Sequence, residues 1–128
     1  MLEFIVKGLP ILNFDVKAPV VLEVHIGPKG MAGVFLQRDP LEARWLPVAS
    51  FSRALAQMEL SRSALYLEMV AVQEALERMA HISTVACELK LRVSEGFHLL
   101  WARRAKLPAA LLWRATVIES YHPVLGEP

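Results

Sequence analysis

The feature that most constrains this chain is a change of period along it. Val20–Ile26 (VVLEVHI) is β-branched and half alternating, which is strand chemistry. Gly27-Pro28-Lys29-Gly30 is a turn, and Met31–Gln37 reads as the returning strand of a hairpin. Asp39-Pro40 makes a second turn, and Arg44–Ser52 (RWLPVASFS) a third strand. Pro47 within it cannot donate to a ladder, so an edge position or a bulge is expected there. From about Met58 to His81 the period becomes helical, with Leu60, Ala64, Leu67, Ala71, Ala75, Leu76 and Met79 recurring at turn spacing. Ser83–Val93 (STVACELKLRV) then returns to alternation, placing Val85, Cys87, Leu89 and Leu91 on one face.

A helix between the third and fourth strands forces a crossover, so the fourth strand should lie parallel within the same sheet. Ser94–Ala105 reads as a short helix opened by Ser94 as N-cap, and Pro108 fits the first turn of another reaching about Glu119. His122-Pro123 begins a closing extended segment. Residues 1–19 carry Gly8, Pro10, Asn13 and Pro19, which break every candidate element, so an irregular segment over 1–19 precedes one domain over 20–128. The reading is an α/β domain: a three-strand antiparallel meander, a parallel strand added by helical crossover, and helices packed on the sheet.

Composition narrows the function. Fourteen Lys and Arg against thirteen Asp and Glu leave a net charge of +1, so nucleic-acid or membrane attraction would need a local patch. The single cysteine, Cys87, excludes an internal disulfide and a multi-cysteine zinc site, and points to a buried reduced thiol in an intracellular setting, cytoplasmic or nuclear. His81, His98 and His122 lack ligand spacing. No run of apolar residues is long enough to span a membrane, and Glu3 and Lys7 interrupt any signal-peptide pattern. The 55% hydrophobic content exceeds that of an ordinary domain, so either the core is rich or part of the surface is normally covered.

Three stretches in order resemble retroviral and retrotransposon reverse transcriptases: Val21–Gln37 (VLEVHIGPKGMAGVFLQ), Leu46–Leu55 (LPVASFSRAL) and Tyr66–Leu76 (YLEMVAVQEAL). They are similar to the patterns "GxVLxQ", "PVAxxSrkL" and "ELLAvvxAL" of the ribonuclease-H-like region, in its connection-type version between polymerase and true ribonuclease H. A captured host copy of such an element would carry the same drifted pattern. The resemblance implies the ribonuclease H fold. It also implies that active members hold two divalent ions in a carboxylate cluster: an Asp on strand one, a Glu on the long helix, an Asp on strand four and a late Asp. Carried over by position, these become His25, Glu68, Glu88 and no counterpart. Imidazole is a poor Mg²⁺ ligand, so a degenerate site with no catalytic residue, no metal and no cofactor is expected. A replacement site from Glu23, His25 and Glu68, with residual hybrid nuclease activity, is the enzymatic alternative.

Two kinds of partner remain. Trp101-Ala-Arg103-Arg104-Ala-Lys106 sets an aromatic beside three cations and, with Lys90, Arg92 and Arg114, offers a weak nucleic-acid contact. Trp101, Leu111, Leu112, Trp113 and Val117 give the late helices apolar area on more than one side, as expected of a module that packs on adjacent domains or a second copy.

Overall fold

A computed structural model describes residues 14–126 apart from Pro40 and Glu42. Most of the irregular segment expected over 1–19, and the proline of the second turn, therefore lie outside the described residues. Five strands form one mixed sheet in the order β3-β2-β1-β4-β5. They are β1 (Val20–Ile26), β2 (Gly30–Asp39), β3 (Arg44–Ala54), β4 (Leu89–Arg92) and β5 (Val124–Leu125). The meander is antiparallel, and β4 joins β1 in parallel with Val20 opposite Leu89 and Glu23 opposite Arg92. Pro47 meets both expectations: β3 is an edge strand, and the register slips so that Phe35 faces Ala49 while Leu36 faces Pro47. The extra residue, Val48, is turned into the core.

The crossover helix, α1 (Ala64–Arg78), starts six residues later than the periodicity predicts. Ser63 caps it, its Oγ accepting from the Tyr66 N–H at 3.1 Å. The preceding Gln57–Glu59 forms a separate 3-10 turn, closed by the Glu59 carboxylate on the Ala56 N–H at 2.7 Å. Met58 and Leu60 are consequently exposed, at 73% and 48%. Within α1 almost every face is buried, from Leu67 through Met69–Gln73 to Leu76, as in a helix enclosed by a sheet on one side and helices on the other. Its approach to the sheet depends on Gly33: a Cβ there would sit 2.8 Å from the Phe51 ring and 3.1 Å from Ala75 Cβ.

The fourth strand is shorter than the alternation implies. Ala80–Ser83 is a helical turn, α2, and the strand is confined to Leu89–Arg92. Ser83 Oγ donates to the Met79 carbonyl at 3.2 Å, a back-bond that favours the helical turn over extended chain. Val85 and Cys87 are therefore exposed, and the expectation of a buried thiol is corrected: Cys87 lines an open cleft of about 450 Å³ with Glu88, Tyr121 and His122. Helices α3 (Glu95–Ala102) and α4 (Ala109–Glu119) follow, α3 capped by Ser94 as the sequence indicates. Leu22, Phe35, Leu91, Phe97 and Ile118 are all fully buried between the sheet and these helices. No helix among the described residues is long and apolar enough to cross a membrane.

Candidate functional site

The parallel β1–β4 pair brings the C-terminal end of β1, carrying His25, beside the end of β4, where Ser94 opens α3. Glu68, in the second turn of α1, reaches the same end. Its two carboxylate oxygens are both taken by one residue: Ser94 Oγ donates to Oε1 at 2.6 Å and the Ser94 N–H donates to Oε2 at 2.7 Å. Ser94 Oγ in turn accepts from the Phe97 N–H at 3.1 Å. The acid that resembles a metal ligand thus ties α1 to β4 and to the first turn of α3.

His25 does not join it. Leu22, Val24 and Ile26 face the helical core, so the period of two sends Glu23 and His25 to the opposite face of the sheet. There His25 Nε2 lies 3.1 Å from Glu23 Oε1, and Arg92 Nη1 donates to Glu23 Oε2 at 2.7 Å. Burial pushes the Glu23 carboxyl up, but the hydrogen bonds and charges of Arg92 and His25 outweigh it and hold the group below its ordinary value. Arg92 also lies over the Trp45 ring at 5.9 Å. The end of the sheet that resembles a metal site therefore has its neighbouring acid, Glu23, already paired with an arginine.

Glu88 is displaced further. Its carbonyl accepts from the Val20 N–H at 2.9 Å, at the N-terminal end of β4. Six residues of extended chain, about 20 Å, separate it from Ser94. Glu88 occupies the opposite pole from Glu68, and the carry-over that assigned it to the strand-four acid is corrected: β4 ends at Arg92, and Ser94, two residues beyond, stands beside Glu68. Two divalent ions need a converging set of oxygen ligands, and a carboxylate spent on a serine, an imidazole on the other face and a nearby guanidinium do not fit that need. Among the described residues, no three His, Cys, Asp or Glu side chains converge as a metal site.

The cationic patch expected around Trp101–Lys106 is also redistributed. Trp101 is 9% exposed and stacked on Phe97, ring centroids 5.7 Å apart, so it belongs to the core. Arg104 lies over its ring at 4.7 Å and closes on Glu119, Nε donating to Oε1 at 2.6 Å. Arg103 and Lys106 are exposed. Lys90 and Arg92 point to the face of the sheet away from these helices, since Leu89 and Leu91 between them are buried in the helical core. The six residues do not form one surface.

Two arrangements escaped the sequence reading. Arg53 clamps β3 to the 3-10 turn and to α1, donating to Glu59 at 2.7 and 2.9 Å and to Glu74 at 2.7 and 2.6 Å. Its hydrogen bonds hold Glu59 down to about 2. The motif residue in Ser52-Arg53 was the available signal. The second is an alternation of guanidinium groups and rings at the start of α1 and on α4, for which Arg62 and Tyr66, four residues apart across the Ser63 cap, were the signal.

Residues 5–87 match the sequence profile of the RNase H-like domain found in reverse transcriptase. Among solved structures, the foamy viral protease-reverse transcriptase in complex with dsDNA aligns at TM-score 0.62 and 16% identity, over 98% of this chain and 28% of that one. A second foamy viral structure, of the form designated dRH with dsDNA, aligns at 0.59 and 17%, over 88% and 19%. The enzyme with an RNA/DNA hybrid aligns at 0.53 and 16%, over 95% and 18%. The chain spans less than a third of each of these structures. Among proteins of curated function, none is significantly similar in sequence.

Proposed function

Given that the chain belongs to the RNase H-like domains found in reverse transcriptase, we propose that it is a non-cleaving member, one that acts by packing against neighbouring protein surfaces. The observation that carries this reading is the bidentate capture of Glu68 by Ser94. A ligating carboxylate aims its lone pairs at the ion; both oxygens here already accept from a helix cap, and the β1 position that would share the metal is an imidazole. Replacement of the strand-one acid is the drift expected of a copy kept for its fold, within a retroelement polyprotein or after capture by a host. Leu99 and Leu112, at 64% and 38% exposure, provide apolar area on the outer faces of α3 and α4 for such packing.

The test is cleavage of an RNA–DNA hybrid with Mg²⁺ or Mn²⁺. We expect none; hydrolysis by the unmutated chain that disappears in Glu68→Gln would overturn the reading. Sedimentation should also show self-association or stabilisation by an adjoining domain. A second reading, contact with nucleic acid, is favoured by the foamy viral relatives, which were solved with dsDNA and with an RNA/DNA hybrid.

A further inference from the structure

Six of the described arginines fall into two groups. Arg53, Arg78, Arg92 and Arg104 each hold a carboxylate: Glu59 and Glu74, Glu74, Glu23 and Glu119. Arg62 and Arg114 hold rings instead. Arg62 lies over the Tyr66 ring at 5.0 Å, Arg114 over the same ring at 5.6 Å and over Trp113 at 4.5 Å. The side-chain acceptors of Arg114 are neutral, Gln73 Oε1 at 2.6 Å and Tyr66 OH at 3.5 Å, and its buried Nε has no partner. The carboxylate whose charge reaches Arg114, Glu59, is already consumed by Arg53. Among the described residues, these two cations thus have no carboxylate bonded to them, in a series Arg62, Tyr66, Arg114, Trp113. The series ends on an indole half open to solvent.

We propose that this series binds a single-stranded nucleic-acid segment, with a base stacked on Trp113 and phosphates beside Arg62 and Arg114. An open indole accepts any base, whatever its sequence, and guanidinium groups ordered by rings and a neutral amide keep their full charge for phosphate. An acidic protein surface would satisfy the charges and leave the open ring without a planar partner. The proposal specifies a site and a strand form for the second reading above. It is independent of catalytic silence: hybrid cleavage by the chain would defeat that reading and leave this one standing.

The experiment is fluorescence anisotropy of a labelled oligothymidylate with the full 128-residue chain, at several salt concentrations. Arg62 and Trp113 are exposed, so Arg62→Glu and Trp113→Ala should keep native circular dichroism. We expect salt-sensitive binding that falls roughly tenfold or more in Arg62→Glu and roughly five- to a hundredfold in Trp113→Ala. The Arg103→Glu, Lys106→Glu double variant should bind as the parent does. Absence of binding by the parent, equal binding by Arg62→Glu and Trp113→Ala, or loss confined to the Arg103 and Lys106 variant would each overturn the site. Displacement by polyglutamate as effective as by unlabelled oligothymidylate would show that charge alone is read, and would remove the stacking role of Trp113.

Discussion

Two tryptophan–arginine pairs, a dozen residues apart in sequence, have opposite fates. Trp101 lies inside, stacked on Phe97, and its arginine is closed by Glu119. Trp113 stands half open, and its arginine is held by a ring and an amide. Composition cannot separate them: each is an indole beside a guanidinium. What separates them is helix phase, since Trp101 and Phe97 share a face of α3 at i, i+4 and that face meets the core. Trp113 lies on the side of α4 away from the buried Ala115 and Ile118.

The strongest way to break this comparison is to truncate both rings. Trp101→Ala removes a buried indole and leaves the Phe97 ring without its stacking partner, and should lower unfolding free energy by about 3–5 kcal/mol. Trp113→Ala should change it by less than about 0.5 kcal/mol. Urea unfolding of the two variants decides it, and comparable losses would mean that the open ring is packed after all.

Acid unfolding sharpens the contrast between closed and open cations. Glu59 is held at about 2 in the folded chain against an ordinary 4.5, so its clamp on Arg53 contributes stability above pH 4.5 that is lost as pH falls toward 2. Allowing for solvent screening, the loss should be about 1–2 kcal/mol, and Glu59→Gln should flatten that part of the stability profile. Among the described residues no carboxylate is bonded to Arg62 or Arg114, so Arg62→Gln should leave the same profile unaltered. A profile that Glu59→Gln does not change would remove the clamp from the account.

Much of the fold was legible because it rests on local rules. β1 is found at the residues its alternation marks, Pro47 announces both an edge and a bulge, and Ser94 caps α3 as its type and place predict. The misreadings share one physical origin, which is that side chains compete with periodicity. The Ser83 hydroxyl holds a helical turn where alternation predicted strand, and Ser63 with Glu59 delays α1. The site was less legible because its contacts are long-range. Glu23 and Arg92 are 69 residues apart and meet only through strand register; Arg114 and Gln73 are 41 apart. Carrying Glu88 to the strand-four acid failed by the length of a strand, since nothing local reveals which end of four residues faces α1.

The Glu68–Ser94 contact extends the comparison to a third closed acid. Ser94→Ala removes a helix cap and leaves Glu68 with one backbone donor, and should cost about 1 kcal/mol. Thermal unfolding measures it. A stabilised Ser94→Ala chain would imply that the half-buried Glu68 strains the fold, as an unused ligand would, and would weaken the structural role assigned to it.

The smallest effect tests whether charge or the open ring distinguishes the two pairs. Arg104 and Glu119 are 37% and 47% exposed, and such pairs contribute about 0–1 kcal/mol, so Glu119→Gln should barely alter stability. It does free the Arg104 cation, making that pair electrostatically similar to Arg114 beside Trp113. The Trp101 ring nevertheless remains covered by Phe97 and Arg104, and Arg104 Nη1 still donates to the Trp101 carbonyl at 2.9 Å. A base has no surface to stack on there. Glu119→Gln introduced into Trp113→Ala should therefore not restore oligothymidylate binding in the anisotropy assay. Restoration would mean that any unneutralised guanidinium suffices, and the contrast between the two tryptophans would then reduce to a difference of one carboxylate.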